Sequence, residues 1–300
     1  MPPAAGRGYW LVLAAAVLWA LLGVFSQRLL AAGVPAIEVA FWRATLASPL
    51  FIGHAALTRS LTVAARDLPA FVAFALVGVT LFYASLNLAI DAGGVSLAFV
   101  LLYTAPAFVA VLAAALLGER LTRGKALLVV LSVGGVALVS TAGGDGVSPT
   151  PAAIAWGLTS GLSYASYYLF GKWALRRYRP VTIFAWVMPV GALGLLPFVG
   201  FEALGVSNRA IWVDLALMGV LSTYLAYYVY YSGLRTVEAS RAVLVATVEP
   251  LLAAALAALL FGERLGPAGI LGGALVLLAA TLASTRRAAR RPVTVDPDVL

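Results

Sequence analysis

Two ionisable side chains stand in stretches otherwise too apolar to hold them. Arg43 interrupts the run from Ala36 to Leu57, and Glu249 interrupts the run from Ala242 to Phe261. A charge at the centre of a hydrocarbon layer costs about 2.5–3.5 kcal/mol on insertion scales, so each needs a partner or a task. Arg43 lies seven residues in from Ala36, about 10 Å deep at the helical rise. It can pair with Glu38, bind backbone carbonyls or touch a substrate. Glu249 lies about 12 Å beyond Arg241 by the same rise. Three roles are open to it: binding a substrate ammonium, carrying a proton for coupling, or pairing with an arginine such as Arg43.

The aromatic residues form a second pattern. Tyr224, Tyr227, Tyr228 and Tyr231 recur at spacings of three and four, the signature of one helical stripe. Tyr83 and Asn87 are four apart, and Tyr164, Tyr167 and Tyr168 stand beside Gly157, Ser160 and Gly161. Tyr103 precedes Pro106 by about one turn. An interfacial belt accounts for Tyr9, Trp10, Trp173 and Trp212, which lie near the ends of apolar runs. It does not account for tyrosines well inside them, because a phenol facing lipid leaves its hydroxyl unpaired at about 1–3 kcal/mol. The interior set therefore faces packed protein or a cavity. A cavity is the preferred expectation, lined by Trp19, Tyr83, Asn87, Tyr103, Tyr164, Tyr168, Tyr224, Tyr227 and Tyr231. Flat rings with hydroxyl tips suit an aromatic or large apolar side chain.

Pro106 and Pro250 sit in such runs as well. Each removes a backbone hydrogen bond, freeing the carbonyls of Leu102 and Ala246, and each is expected to act as a hinge. Glu119 and Glu263 stand beside arginines at the ends of their runs, where closing helix ends is the expected task. His54 is the only histidine and is expected at an interface. With no cysteine, no thiolate catalysis or Cys-based metal site is available. No nucleophile–base pair, metal cluster or phosphate-binding loop occurs, so neither an enzyme nor a direct ATP-driven pump is expected, and no cofactor.

These residues need elements to hold them. The chain has 300 residues, 63% hydrophobic and 11% charged, with a mean hydropathy of +1.00. A soluble domain is about a quarter charged, so the expected class is an all-α membrane protein. The net charge of +8 comes from scattered basic residues, which fits membrane topology better than nucleic-acid binding. The first apolar run extends to about Phe25, longer than the hydrophobic region of a cleaved signal peptide, so a retained span is expected. Ten segments can span: 9–29, 36–57, 68–90, 95–117, 124–142, 152–174, 180–201, 212–232, 241–261 and 266–285. With the N-terminus inside, the cytoplasmic side holds sixteen Lys and Arg and the outside three. That bias predicts ten transmembrane helices with both termini cytoplasmic. The tail 286–300 reads as basic and disordered.

The chain also repeats. Residues 104–121 ("TAPAFVAVLAAALLGERL") match 248–265 ("VEPLLAAALAALLFGERL") at an offset of 144, which also sets Tyr83 on Tyr227 and Ser96 on Ser240. An offset of 145 sets Trp19 on Tyr164. Residues 1–145 and 146–285 thus form two five-helix repeats. Five is odd, so the copies enter the membrane from opposite sides. Inverted repeats around a midplane site, opening alternately, are the architecture of secondary transporters. A duplication without transport is the alternative.

The paired "LLGERL" (116–121) and "LFGERL" (260–265), "FWRATLASPL" (41–50), the buried prolines and the five-plus-five layout carry a resemblance. Over residues 9–285 the chain resembles the drug/metabolite transporter superfamily, in its EamA-type ten-helix branch. The number of interior aromatics is similar to the aromatic amino acid exporter subgroup. The resemblance implies a secondary transporter of the inner membrane, moving aromatic or hydrophobic amino acids or related metabolites by alternating access. A carrier of nucleotide-linked or phosphorylated compounds would want several deep basic residues, and only Arg43 is deep. The expected partners are a small-molecule substrate and the lipid bilayer, with a proton as candidate coupling ion. Nothing in the pattern fixes an oligomeric state.

Overall fold

The computed structural model describes residues 3–93, 98, 101–141, 150–201, 209–249, 251–252, 255–256, 259 and 266–285. The regular elements among them are all helical. They run α1 (Pro3–Ala31), α2 (Ala36–Leu57), α3 (Leu68–Phe74), α4 (Phe82–Gly93), α5 (Ala105–Leu117), α6 (Arg123–Thr141), α7 (Pro151–Ala174), α8 (Pro180–Leu195), α9 (Arg209–Leu217), α10 (Ala226–Leu234), α11 (Ala239–Ala246) and α12 (Pro267–Thr285). Helix is what an apolar solvent demands, because each backbone N–H and C=O must find its partner within its own segment. Proline opens α7, α8 and α12, where its missing N–H costs nothing. At α7, Thr150 adds a cap by accepting from the Ala153 N–H.

Among the described residues, four helical rods are long and apolar enough to cross a membrane: Gly6–Ala31, Ala65–Ala89, Pro180–Phe198 and Arg209–Leu234. Large apolar side chains such as Trp10, Leu116, Val130, Leu193 and Ile270 stand exposed around the bundle, a surface that water does not tolerate on a monomer. The chain has an all-α, multi-helix membrane fold.

Two of the rods are compound. A π-helical stretch, Ala75–Leu81, joins α3 to α4, and another, Met218–Leu225, joins α9 to α10. A π turn bonds i to i+5 and so inserts a residue into the register. The two stretches end at residues 144 apart, the offset of the sequence repeat. No residue pattern announced either one.

The longest helix pairings are α6 with α12, α2 with α8, α4 with α7 and α1 with α10. Each joins the first half of the chain to the second. Without a hydrophobic drive between helices in lipid, such pairings rest on close approach. A Cβ built on Gly233 of α10 would stand 2.6 Å from the Gly8 carbonyl oxygen of α1. One built on Gly161 of α7 would stand 2.8 Å from the Leu101 carbonyl oxygen. Glycine at these two positions lets backbones touch.

The expected fourth span is interrupted. Tyr103 and Thr104 form a turn, and α5 begins again at Ala105 with Pro106 in its first turn. Pro106 therefore starts a new helix instead of kinking a continuous one, in the position where proline is best tolerated. The Thr104 hydroxyl donates to the Leu101 carbonyl at 2.5 Å, an acceptor it shares with the Thr104 N–H at 3.2 Å. The same break recurs 144 residues later: α11 ends at Ala246, Thr247 and Val248 form a turn, and the Thr247 hydroxyl donates to the Leu244 carbonyl at 2.7 Å. Pro250, Ser96, Glu263 and the second Gly-Glu-Arg-Leu lie outside the described residues, as does the tail from 286.

Candidate functional site

Rings from five elements meet inside the bundle. Trp19 of α1 packs on Tyr227 at 5.4 Å and on Tyr230 at 5.0 Å, centroid to centroid. Tyr227 stacks on Tyr167 of α7 at 5.4 Å, and Phe184 of α8 meets Tyr227 at 4.9 Å and Tyr231 at 4.5 Å. Phe82 stacks on Tyr164 at 5.2 Å and abuts Tyr83. Tyr168 closes the chain of contacts by meeting Tyr164 and Tyr230. These separations are those at which offset and edge-on aromatic pairs attract, at about 0.5–1.5 kcal/mol each beyond area burial.

Of the expected lining residues, Trp19, Tyr83, Tyr103, Tyr168, Tyr227 and Tyr231 are buried, while Tyr164 and Asn87 are half-buried. Asn87 donates to the Tyr83 carbonyl at 2.8 Å, within its own helix. Tyr231 donates to the Tyr167 carbonyl at 2.8 Å, tying α10 to α7. Tyr224 departs from the expected stripe. It packs on Phe51 at 4.9 Å and its hydroxyl hydrogen-bonds His54 Nδ1 at 2.7 Å. Tyr228 also meets His54, at 5.3 Å. Tyr224 and Tyr228 are four residues apart and share one edge of the helix, while Tyr227 and Tyr230 lie at the other. Tyr227, Tyr230 and Tyr231 face the ring cluster; Tyr224 and Tyr228 face His54. The expected set omits Tyr230 and Tyr167, both at most 2% exposed. Tyr230 lies three residues after Tyr227, so helical spacing was the available signal. His54 is not a lone interfacial residue, and its partner lies 170 positions away in the chain.

The two intramembrane charges take different partners. Arg43 is 7% exposed and lies with its guanidinium carbon 4.7 Å above the Tyr83 ring. Its Nε has no hydrogen-bond partner among the described residues, and neither has the buried Trp19 Nε1. Glu38 is fully buried and accepts from Trp42 Nε1 at 2.9 Å, one turn along its own helix. Glu249 is half-buried, takes a hydrogen bond from the Tyr103 hydroxyl and feels the charge of Arg43.

A third group gathers at one end of the bundle. Gly118 takes a left-handed conformation (φ 68°) after α5, and the Glu119 N–H then bonds back to the Ala113 carbonyl at 3.1 Å. This C-terminal motif needs glycine and turns the Glu119 carboxylate away from its helix. The carboxylate accepts from the Ala239 N–H at 2.8 Å, from the Ser240 hydroxyl and from Lys125 at 3.3 Å. It thus caps the N-terminus of α11, where anions are favoured. Lys125 also reaches Glu238 at 3.2 Å, and Glu238 pairs with Arg241 at 2.9 Å. Near the α2–α3 connection, Tyr178 donates to Asp67 at 2.6 Å and Arg177 pairs with Asp67 at 3.2 Å. Burial and the hydrogen bond to Asp67 push the Tyr178 hydroxyl pKa up, so it stays a donor. Thr182 and Trp186 donate to the carbonyls of Ser60 and Leu61. The contacts of Glu119 with Ala239 and Ser240, of Lys125 with Glu238, of Asp67 with Arg177 and Tyr178, and of Thr182 and Trp186 with the Ser60 and Leu61 carbonyls join the two halves of the chain. The expected role of Glu119 at helix ends is met, but across the halves. Elsewhere Arg28 pairs with Asp214 at 3.1 Å, also across the halves.

Among the described residues no group of three or more potential metal ligands occurs. A model of the EamA-like transporter family matches the chain twice, over residues 6–141 and 151–285. An uncharacterised transporter of Archaeoglobus fulgidus is 29% identical over 90% of this chain and 96% of its own. The inner membrane transporter YicL of Salmonella typhimurium, also uncharacterised, is 28% identical over 95% and 98%. A probable terminal-alkyne amino-acid exporter of Streptantibioticus cattleyicolor is 29% identical over 76% of each chain. A solved crystal structure superposes with a TM-score of 0.80 over 92% of this chain and 96% of its own, at 18% identity, which speaks to the fold. With both halves of the chain matched, the protein belongs to the EamA-like transporter family and is a multi-pass membrane transporter of the secondary type.

Proposed function

We propose that the protein exports aromatic or hydrophobic amino acids across the inner membrane, by alternating access of two inverted five-helix halves. The observation that carries the substrate class is the ring cluster around Trp19, Tyr83, Tyr164, Tyr167 and Tyr227, with Arg43 and Glu249 as its charges. Apolar walls with a few placed polar groups are what binds a small molecule bearing a large side chain. The name of the similar amino-acid exporter supports the same class.

The inverted halves, 1–145 and 146–285 with the tail 286–300 beyond, are supported by recurrence at one offset. The π stretches and the helix breaks both repeat at 144 residues. Ten spans with both termini cytoplasmic rest on the charge bias of the loops. On that orientation the Glu119 and Asp67 contacts hold the cytoplasmic end shut, and that end opens when they part. The breaks before Pro106 and before Pro250 are the points about which the helices swing, and Glu249 is the candidate for proton coupling.

The test is flux in proteoliposomes. Labelled phenylalanine and labelled glutamate are compared, with and without a pH gradient. Selective phenylalanine flux supports the reading; equal flux of the two overturns it.

A further inference from the structure

Arg43 is a buried cation whose Nε the described residues leave unsatisfied. It is 7% exposed, and among the described residues no acceptor reaches its Nε and no carboxylate pairs with it within 4.0 Å. The nearest acid in sequence, Glu38, already accepts from Trp42. What surrounds Arg43 is aromatic. The Tyr83 ring lies under the guanidinium at 4.7 Å, with Tyr167 and Tyr227 the other tyrosines whose phenols act on it electrostatically. Glu249 acts on it too, from beyond ion-pair range, and is itself held by Tyr103. A ring face orients a guanidinium but gives its N–H groups nothing to bond. Trp19 Nε1, in contact with Tyr227, is a second buried donor without an acceptor. Buried polar groups are nearly always satisfied, so four orphaned donors in one ring cluster, the Tyr167 and Tyr230 hydroxyls included, call for a ligand that brings acceptors.

We infer that Arg43 is the anchor for the carboxylate of a zwitterionic substrate, with Glu249 taking its ammonium. The planar fork of arginine matches a carboxylate bidentately, which a point charge does not. Tyr83, under the guanidinium, and Tyr103, which donates to the Glu249 carboxylate, then act as positioning residues. The substrate side chain is left to the rings of Trp19, Tyr167 and Tyr227. This deepens the amino-acid reading above and rests on it for the identity of the site.

The experiment measures binding to purified wild-type protein in nanodiscs, using matched probes. L-Phenylalanine is compared with phenethylamine, which lacks the carboxylate, and L-leucine with isoamylamine. The expected result is that each amine binds at least about 30-fold more weakly than its amino acid, the cost of leaving a charged donor unpaired. In Arg43→Gln the amino acid should fall to the level of the amine while the amine is unchanged, and Arg43→Lys should restore part of the difference. Amines binding as tightly as the amino acids overturn the anchor and leave aromatic selectivity standing. Leucine bound with the carboxylate preference and phenylalanine not bound overturns the aromatic reading and supports the anchor. Binding of neither amino acid overturns both. The wild-type comparison decides the matter even if Arg43→Gln does not fold.

Discussion

Replacing Glu119 with alanine should open the end of the bundle that its carboxylate closes. The carboxylate takes three donors: the Ala239 N–H at 2.8 Å, the Ser240 hydroxyl and Lys125 at 3.3 Å. Its side chain is 12% exposed and that of Lys125 is 13%, so solvent screens these bonds only in part. A hydrogen bond to a charged group contributes about 1.5–3 kcal/mol. Bonds that share one acceptor do not add, and Lys125 keeps Glu238 as a partner at 3.2 Å. A total of about 2–4 kcal/mol follows, or about 30- to 1000-fold in the ratio of open to closed states. The chain has no cysteine, so one can be introduced without background. Leu244, 1% exposed on α11 a little over one turn from Ser240, is a suitable site. Labelling of Leu244→Cys by an impermeant maleimide, from the side bearing Glu119, should be at least about 30-fold faster when Glu119→Ala is added. A labelling rate within about twofold of the parent, in a variant that purifies as a folded species, would refute the latch.

Three further outcomes follow. Tyr83→Ala removes the ring beneath Arg43, a contact worth about 0.5–2 kcal/mol, and should reduce amino-acid flux several-fold. Tyr83→Phe keeps the ring and should retain most of it; full flux in the alanine variant would remove Tyr83 from the site. Glu249→Gln should flatten the pH dependence of flux, measured in proteoliposomes at several internal pH values, and an unchanged profile would exclude Glu249 as the coupling residue. Gly161→Val places atoms where a Cβ already stands 2.8 Å from the Leu101 carbonyl, so thermal unfolding should register a loss of about 1–3 kcal/mol. An unshifted midpoint would mean that α7 can retreat from the helix break without cost.

The parts of the fold that follow from solvent were legible in the sequence. A run of apolar residues in lipid must be helical, and α2 and α7 fall within one residue of the expected segments. Pro106 marked the first helix break, although as a restart and not as a kink. The π stretches were not legible, since Ala75–Leu81 carries no residue that distinguishes an i+5 turn from an i+4 turn. Periodicity found the ring cluster because its members repeat along helices. It could not find the pairings of His54 with Tyr224 or of Glu119 with Ser240, which depend on how distant segments pack. The unpaired state of Arg43 was equally out of reach, because a sequence records which acids exist and not which are already occupied.

The central claim, a carrier selective for aromatic or hydrophobic side chains, is tested most directly by one measurement. Purified protein is reconstituted into sealed liposomes loaded with labelled phenylalanine, and its efflux is timed against that of labelled glutamate in the same vesicles. Phenylalanine is predicted to leave far faster than glutamate, with the difference reduced several-fold in Tyr83→Ala. Equal rates for the two amino acids would contradict the account.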